Sequence, residues 1–276
     1  MINFRFIFTL IMTLFLLNIQ SVWAAKLVLV IDDFGYRQRN EEQIILLSPN
    51  ITVAVLPNSP NAKHIATLAH NHGNDVIIHL PMAPMGKQPL EKDTLFPYMN
   101  EIEVQRIVTN AVERVPYAIG INNHMGSLMT SNLNGMQHVM KALSRYSMFF
   151  LDSKTIGKTK VKQAANEYNI PVIGRDVFLD DEQKENSIAH QFDVAVAIAR
   201  KNGYAIAIGH PHPQTVNVLR SKLANLPIDV ELTKLGQLIT PLPSMKQPKK
   251  VTLNDIVEKY KKLINDMYLF YNLEKK

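Results

Sequence analysis

Two adjacent carboxylates, Asp32 and Asp33, are the side chains of this sequence with the clearest potential for chemistry. They follow the aliphatic run Leu27–Ile31 and precede Phe34 and Gly35. Adjacent like charges repel and are costly to desolvate, so such a pair usually persists where a cation, a proton or a positive side chain offsets it. The pair therefore indicates a metal or catalytic site. The alternative is an Asx-type turn in which both carboxylates cap backbone N–H groups.

The other reactive side chains also fall at the ends of short apolar runs that read as buried strands. They are His79, Asn122, Asn123, His124, Asp152, Arg175, Asp176, His210 and His212. Because the carboxyl ends of parallel strands meet on one face of a barrel, these groups are expected to line one cleft. Carboxylates and imidazoles gathered in one cleft fit a divalent transition metal, of which Zn²⁺ is the commonest case.

Each histidine also has a simpler interpretation. Taken alone, His79 could be a hydrogen-bonded histidine inside a strand, and His124 could cap a tight turn. His210 and His212 are harder to explain in this way, because prolines hold both rings on a stiff loop after a buried strand. The remaining histidines lie on predicted helices or at their ends and are expected to face solvent: His64, His70, His72, His138 and His190.

Strands alternate with helical stretches from residue 26 to residue 232. This alternation predicts right-handed βαβ units, a parallel sheet and an α/β fold. Seven or eight such units favour a (β/α) barrel that spans residues 25–240. An open doubly wound sheet is the alternative, but no Gly-rich phosphate loop follows the first strand.

The first 24 residues have the pattern of a secretory signal peptide, in which Arg5 precedes the apolar run Phe6–Leu17 and small or aliphatic residues precede Ala25. An uncleaved anchor is the alternative, although the run is short for a span of about 20 residues. The sequence contains no cysteine, so an exported form would depend on its own core rather than on disulfides. We expect a periplasmic or cell-envelope location.

The last segment, residues 241–276, is predicted to be a basic linker followed by a helix. It carries much of the basic excess of a chain with net charge +6, so the charge does not indicate a nucleic-acid partner. An apolar stripe runs along the helix and includes Leu253, Ile256, Val257, Tyr260, Leu263, Ile264 and Met267. Such a stripe packs on its own domain or docks on a membrane surface or protein partner.

Six motifs, in this order, resemble the divergent polysaccharide deacetylases over about residues 26–240. They are Val-Ile-Asp-Asp-Phe-Gly from 30, Ile-His-Leu-Pro-Met from 78, Gly-Ile-Asn-Asn-His-Met-Gly-Ser from 120, Phe-Leu-Asp-Ser-Lys-Thr from 150, Arg-Asp-Val-Phe-Leu-Asp from 175 and Ile-Gly-His-Pro-His-Pro from 208. The resemblance implies a distorted (β/α)7–8 barrel of the deacetylase type. It also implies metal-dependent hydrolysis of N-acetyl or O-acetyl groups on an envelope or peptidoglycan-like glycan.

The resemblance also implies residue roles. Asp32 corresponds to the general base, Asp33 and His79 to metal ligands, and His210 to the general acid. The second histidine of the family's metal motif is replaced near Met82, which cannot bind the metal in its place. His124, from the following strand end, is expected to be the third ligand.

Supporting roles are expected for five further residues: Asn123, Asp152, Arg175, Asp176 and His212. Arg175 and Asp176 would orient Asp32 or bind sugar hydroxyls, and Asp152 would support a histidine. An ion pair within the Arg175–Asp176 dipeptide is the structural alternative. Two other functions remain open: a glycosidase that uses two of the carboxylates, and a weakly active or inactive protein that only binds glycan.

Overall fold

The computed structural model describes residues 24–239, which form one parallel sheet with helices packed around it. The strands are β1 Ala25–Phe34, β2 Thr52–Val55, β3 Asp75–Met82, β4 Ala118–Met125, β5 Phe149–Asp152, β6 Val172–Gly174, β7 Val177–Phe178, β8 Tyr204–Gly209 and β9 Val230–Leu232. The helices are α1 Gln38–Leu47, α2 Ala62–His72, α3 Glu101–Arg114, α4 Leu133–Leu143, α5 Val161–Asn166, α6 Glu185–Asn202, α7 Pro213–Ala224 and α8 Leu235–Leu238.

The predicted terminal segments lie almost entirely outside this range. Of the predicted signal peptide only residue 24 is described, and the basic linker and C-terminal helix of 241–276 are not among the described residues. Within residues 24–239, no helix combines the length and the apolar character needed to cross a membrane.

The sheet curls into a distorted barrel with one seam. Its strand order is β6-β5-β4-β3-β2-β1-β8-β7, with β9 beside the start of β1 and every pairing parallel. The end strands β6 and β7 are separated by only Arg175 and Asp176, and three Cα–Cα steps span at most about 11 Å. The two edges of the sheet must therefore lie close together, which confirms the predicted distorted barrel.

Arg175 and Asp176 bridge this seam through their backbone. The Arg175 N–H donates to the Asp152 carbonyl at 3.0 Å, on the β5 side of the gap. The Asp176 N–H donates to the Ile206 carbonyl at 2.9 Å, on the β8 side. β7 was not predicted, because a run of two residues is too short to carry a strand pattern.

Side chains alternate between the barrel interior and the helical layer along each strand. Val28 and Val30 belong to an interior cluster with Ile206 and Ile208. Leu27, Leu29 and Ile31 belong instead to the larger core between sheet and helices. A polar residue at the carboxyl end of a strand therefore reaches the central cleft only if it continues the interior-facing series.

Two strands are longer at their carboxyl ends than the sequence analysis predicted. β1 includes both Asp32 and Asp33, and β4 runs through Asn122, Asn123 and His124 to Met125. These side chains thus belong to strands rather than to the following loops. Their directions are set by strand alternation, with one exception in β1.

That exception is a β-bulge at Asp33. Ile31 pairs with Val53 and Phe34 pairs with Val55, so β1 contains one extra residue across this step. Asp33 takes a left-handed backbone conformation with φ of 60°. Regular alternation would direct Asp33 into the helical layer, and the bulge instead allows both adjacent carboxylates to face the cleft.

A buried carboxyl group holds the turn that follows β1. Glu41 Oε1, on α1, accepts hydrogen bonds from the backbone N–H groups of Tyr36, at 3.0 Å, and Arg37. Glu41 Oε2 is buried and has no hydrogen-bond partner in the described part of the chain. Burial raises the pKa of Glu41, against the three backbone groups that favour its charged form. This residue therefore fixes Tyr36 and Arg37 at the mouth of the cleft.

We expect the two substitutions Glu41→Ala and Glu41→Gln to have different effects on stability. Glu41→Ala leaves two backbone N–H groups without their acceptor and should lower the free energy of unfolding by about 1–3 kcal/mol. Glu41→Gln keeps an acceptor oxygen of the same shape and should cost less. Urea denaturation of both variants measures the difference, and equal losses would show that the two hydrogen bonds contribute little.

Candidate metal centre

Three potential ligand atoms converge at the carboxyl ends of β1, β3 and β4. Asp33 Oδ1 lies 3.2 Å from His79 Nε2 and 3.0 Å from His124 Nδ1, and the two ring nitrogens are 3.0 Å apart. His79 and His124 face the same cleft because their β3 and β4 positions are both in the interior-facing series. The structure thus brings together the three residues expected to bind a metal.

The tautomer of His79 directs a lone pair toward this cluster. Asn122 Nδ2 donates to Asp32 Oδ1 at 2.8 Å, so the Asn122 amide oxygen faces His79 and accepts from Nδ1–H at 2.8 Å. A neutral His79 therefore carries its free lone pair on Nε2, next to Asp33 Oδ1. Within residues 24–239 this buried carboxylate oxygen accepts no hydrogen bond of good geometry. Electron-rich atoms in such contact require a cation or a proton between them.

The spacing of the three atoms fits a small divalent cation. A tetrahedral ion with bonds of about 2.0–2.1 Å to nitrogen and oxygen holds its ligand atoms about 3.3 Å apart. The observed separations of 3.0–3.2 Å are close to this value. Two imidazoles and one carboxylate form a donor set that favours transition metals over Mg²⁺ or Ca²⁺. Three protein ligands leave room for water or substrate, as catalytic sites require.

The two adjacent carboxylates have pKa values shifted in opposite directions. Burial raises the pKa of Asp32, against the opposing attraction of His79 and His210. Burial would also raise the pKa of Asp33, but the neighbouring His124 and His79 outweigh it and hold that pKa far below its usual range. Asp33 therefore stays ionised as a ligand must, while Asp32 is the more basic carboxylate.

Asn122 was expected to line the cleft, but no role was predicted for it. It is fully buried between His79 and Asp32 and hydrogen-bonds both of them. Asn122 pairs with His79 in the neighbouring strand and so faces the same side of the sheet, a register that the sequence alone does not reveal.

Asn123, in contrast, does not face the cleft. Its Nδ2 donates to the Met125 carbonyl at 2.7 Å, and its Oδ1 accepts from the Ser153 N–H at 3.0 Å. Asp152 likewise points away from the cleft, and its Oδ1 accepts from the Lys154 N–H at 2.9 Å. Among the described residues Asp152 forms no hydrogen bond or ion pair with a histidine, in contrast to the histidine support that was expected.

Arg175 and Asp176 also bind backbone rather than each other. Arg175 donates to the carbonyls of Ser153, at 2.7 Å, and Lys154, at 3.0 Å, and its guanidinium lies 3.7 Å above the Phe178 ring. Asp176 accepts from the Ile206 N–H at 2.9 Å. In residues 24–239 neither side chain hydrogen-bonds Asp32, and they form no ion pair with each other. Both side chains thus bind the backbone on either side of the barrel seam.

His210 enters the cleft from the end of β8 and is paired with Asp180. His210 Nδ1 lies 2.9 Å from Asp180 Oδ1, and its backbone N–H donates to Asp180 Oδ2 at 2.6 Å. Thr215 also donates to Asp180 Oδ2, at 2.7 Å. Burial opposes the charged imidazole, but Asp180 outweighs it and raises the pKa of His210 to about 9.

Asp180 is the second residue that the sequence analysis did not assign. It follows β7, the strand that was missed, and its carboxylate is buried beside β8. The sequence motif contained this residue, but no pattern indicated which histidine it would meet. Without the β7–β8 pairing, the contact between residues 180 and 210 could not be placed.

His212 stands beside His210 and is held at both ring nitrogens. Arg37 Nη1 lies 2.9 Å from His212 Nδ1, and the Gln183 side-chain amide lies 3.1 Å from Nε2. Since arginine can only donate, His212 must accept at Nδ1. Burial lowers the pKa of His212, which agrees with a neutral ring. Asp180, His210 and His212 also cluster closely enough for a metal, but their donor atoms already serve these contacts.

A pocket of about 330 Å³ opens above the cluster. Its lining includes Asp33, Tyr36, Arg37, Leu56, Glu91, His124, His210, Pro211 and His212. The volume is at the small end of the range for ligand pockets, roughly 300–1,000 Å³. The pocket therefore joins the three-ligand cluster to His210 within one polar cavity.

The chain is similar to two bacterial proteins in sequence and to a crystal structure in fold. It is 55% identical over 235 residues to uncharacterized protein YibQ of Escherichia coli (strain K12), covering 85% of this chain and 74% of that protein. It is 40% identical over 214 residues to an uncharacterized protein of Haemophilus influenzae, covering 78% and 76%. An uncharacterized protein of Agrobacterium tumefaciens C58 shares the fold with a TM-score of 0.74 at 19% identity, covering 80% of this chain and 91% of that one.

The model of one protein family matches residues 29–239, which is nearly the whole described part of the chain. That family is the divergent polysaccharide deacetylases. The motifs that first indicated it supply the buried strand β1, the histidines of β3 and β4, and the His210 loop. The chain therefore belongs to the divergent polysaccharide deacetylase family.

Proposed function

We propose that this protein is a metal-dependent deacetylase that hydrolyses N-acetyl groups on a cell-envelope glycan. The observation that carries the proposal is the convergence of Asp33 Oδ1, His79 Nε2 and His124 Nδ1 within 3.0–3.2 Å. A basic carboxylate, Asp32, lies on one side of this cluster, and His210 lies in the same cavity. This is the set of groups that amide hydrolysis at a metal requires.

Asp33, His79 and His124 would hold the metal, for which we propose Zn²⁺. When bound, the metal supplies Lewis acidity toward an acetyl carbonyl and lowers the pKa of water. Asn122 orients both the ligand His79 and the base Asp32, because its amide oxygen accepts from His79 and its amide nitrogen donates to Asp32. This shared contact fixes the base relative to the ligands.

Asp32 would take the proton of the attacking water. Its burial makes it a stronger base than an exposed aspartate, because a proton neutralises a charge that the interior solvates poorly. His210 would give a proton to the leaving nitrogen. Asp180 keeps this imidazole protonated at neutral pH, which suits an amide substrate, whose amine leaves only when protonated.

We also propose that the protein acts outside the cytoplasm, in the periplasm or cell envelope. The support is the sequence pattern of residues 1–24, with Arg5 followed by an apolar run. A glycan substrate with acetamido groups would be accessible there. Docking of the basic C-terminal segment on a membrane surface or protein partner is part of the same proposal and rests on the apolar stripe of its sequence.

Metal content separates the proposed centre from the neighbouring cluster of Asp180, His210 and His212. Purified protein should bind one Zn²⁺, and Asp33→Ala or His124→Ala should weaken binding by at least tenfold, since each removes one of three ligands. His212→Asn is the matched control and should keep the metal. Isothermal titration with Zn²⁺ measures all four proteins. Loss of zinc in His212→Asn but not in Asp33→Ala would contradict the assignment.

The pH dependence tests the role of His210. Because its pKa is raised to about 9, the protonated acid is present below that pH and activity should fall as the pH rises through it. Asp180→Asn removes the main group that raises the pKa of His210. The fall of kcat at alkaline pH should therefore move toward the ordinary histidine pKa of 6.5. Thr215→Val, which removes one hydrogen bond to Asp180, should move it far less. An unchanged limb in Asp180→Asn would exclude His210 as the acid.

Acetate release from N-acetylated glycans distinguishes the proposed reaction from its alternatives. We expect release that stops on chelation and returns with Zn²⁺, and Asp32→Asn should lower kcat by about 10²-fold or more, as loss of a general base does. Chain cleavage without acetate would instead support a glycosidase. Retained metal and glycan binding with no turnover would support a binding protein.

A further inference from the structure

Arg37 places a guanidinium in the pocket wall without an acidic partner. It is exposed, lines the same cavity as Asp33 and His210, and uses Nη1 to contact His212 at 2.9 Å. Across residues 24–239, no carboxylate oxygen lies within the 4.0 Å that defines an ion pair with this guanidinium. Four of its five N–H donors thus remain for a ligand.

The position of Arg37 is fixed from two sides. Glu41 binds its backbone N–H, and His212 accepts from its guanidinium. Glu41 uses Oε1 for the backbone N–H groups of Tyr36 and Arg37, and within residues 24–239 it forms no ion pair with the guanidinium. A positive charge held in place but not neutralised is pre-organised for an anion.

Arg37 is also close to the reacting groups. Its guanidinium contacts His212, and the ring centroid of His212 lies 5.8 Å from that of His210. A sugar whose acetamido nitrogen meets His210 would therefore bring its neighbouring substituents to Arg37.

We propose that Arg37 binds a carboxylate on the sugar that is deacetylated, so that the preferred substrate is an acidic N-acetylhexosamine rather than a neutral one. The carboxylate would be carried near the acetamido carbon, as in an ether-linked carboxyalkyl group on the adjacent oxygen. This inference rests on the proposed function and specifies the substrate class of the same site.

The charges of the pocket favour a carboxylate over a phosphate. Asp33 and Glu91 line the cavity together with Arg37, and Glu91 accepts from the Tyr36 hydroxyl at 2.8 Å. His212 adds no charge, because it accepts from Arg37 and its pKa is lowered. His210, the other cation of the lining, is paired with Asp180, so Arg37 offers the charge that is left for the substituent. One guanidinium balances a single negative charge, whereas the second charge of a dianion would be repelled by the two carboxylates nearby. The planar fork of arginine also matches a carboxylate in two parallel hydrogen bonds.

A binding experiment tests this inference without requiring turnover. The full chain, loaded with Zn²⁺ and carrying Asp32→Asn, is titrated calorimetrically with an N-acetylhexosamine that bears a 3-O-carboxyethyl group, and with the same sugar as its carboxamide. We expect the carboxylate to bind about 10- to 100-fold more tightly, the range for hydrogen bonds to a charged group. Adding Arg37→Gln should abolish this preference, and Arg37→Lys should retain part of it.

The matched control is Arg200→Gln in the same background. Arg200 is an exposed arginine that pairs with Asp229 and does not line the pocket. It should leave the preference unchanged, and raising the salt concentration should reduce the preference only where Arg37 is present.

Three outcomes would overturn the inference. The first is equal affinity for the two sugars when Arg37 is present. The second is an equal loss of affinity for both sugars in Arg37→Gln. The third is tighter binding of the corresponding sugar phosphate through Arg37. The second outcome would mean that Arg37 acts only by holding His212. Acetate release from neutral glycan is a separate measurement, so failure here leaves the proposed deacetylation standing, and failure of that reaction leaves this preference measurable.

Discussion

The single extra residue at the end of β1 is the feature on which the cleft depends. Along a regular strand, Asp32 and Asp33 would face opposite sides of the sheet, and one carboxylate would be buried among the helices without a partner. The bulge and the positive φ of Asp33 allow both to meet His79. A left-handed aspartate costs roughly 1–2 kcal/mol, a cost that the attraction of two imidazoles can offset. Local strain is thus coupled directly to the site.

Much of the fold and the centre of the site could be predicted from the sequence, because both depend on local patterns. Buried parallel strands read as aliphatic runs, and the reactive residues stood at their carboxyl ends. Asp33, His79 and His124 were expected in one cleft for this reason, and the family resemblance implied that they are the ligands. The structure brings their ligand atoms within 3.2 Å. The rule needs only the strand order along the chain and the parallel direction of the sheet.

The remaining features depend on long-range register, which a single sequence does not encode visibly. Asn123 and Asp152 were expected in the cleft, but one position in a strand decides which face a side chain takes. Asn122, one residue earlier, faces the cleft and joins His79 to Asp32. Asp180 depends on the pairing of β7 with β8, two strands of which one is only two residues long.

The same geometry also divides the chemical roles between identical side chains. Asp32 and Asp33 differ by one position, yet burial dominates the first and raises its pKa, while two imidazoles dominate the second and lower it. Titratable groups whose environments move their pKa values apart are typical of acid and base pairs in active sites. His210 differs from both, because Asp180 at its Nδ1 supports the positive charge of the ring and raises its pKa. A metal bound at Asp33 would strengthen the division, since its positive charge favours the ionised carboxylate and the neutral form of the ligand histidines.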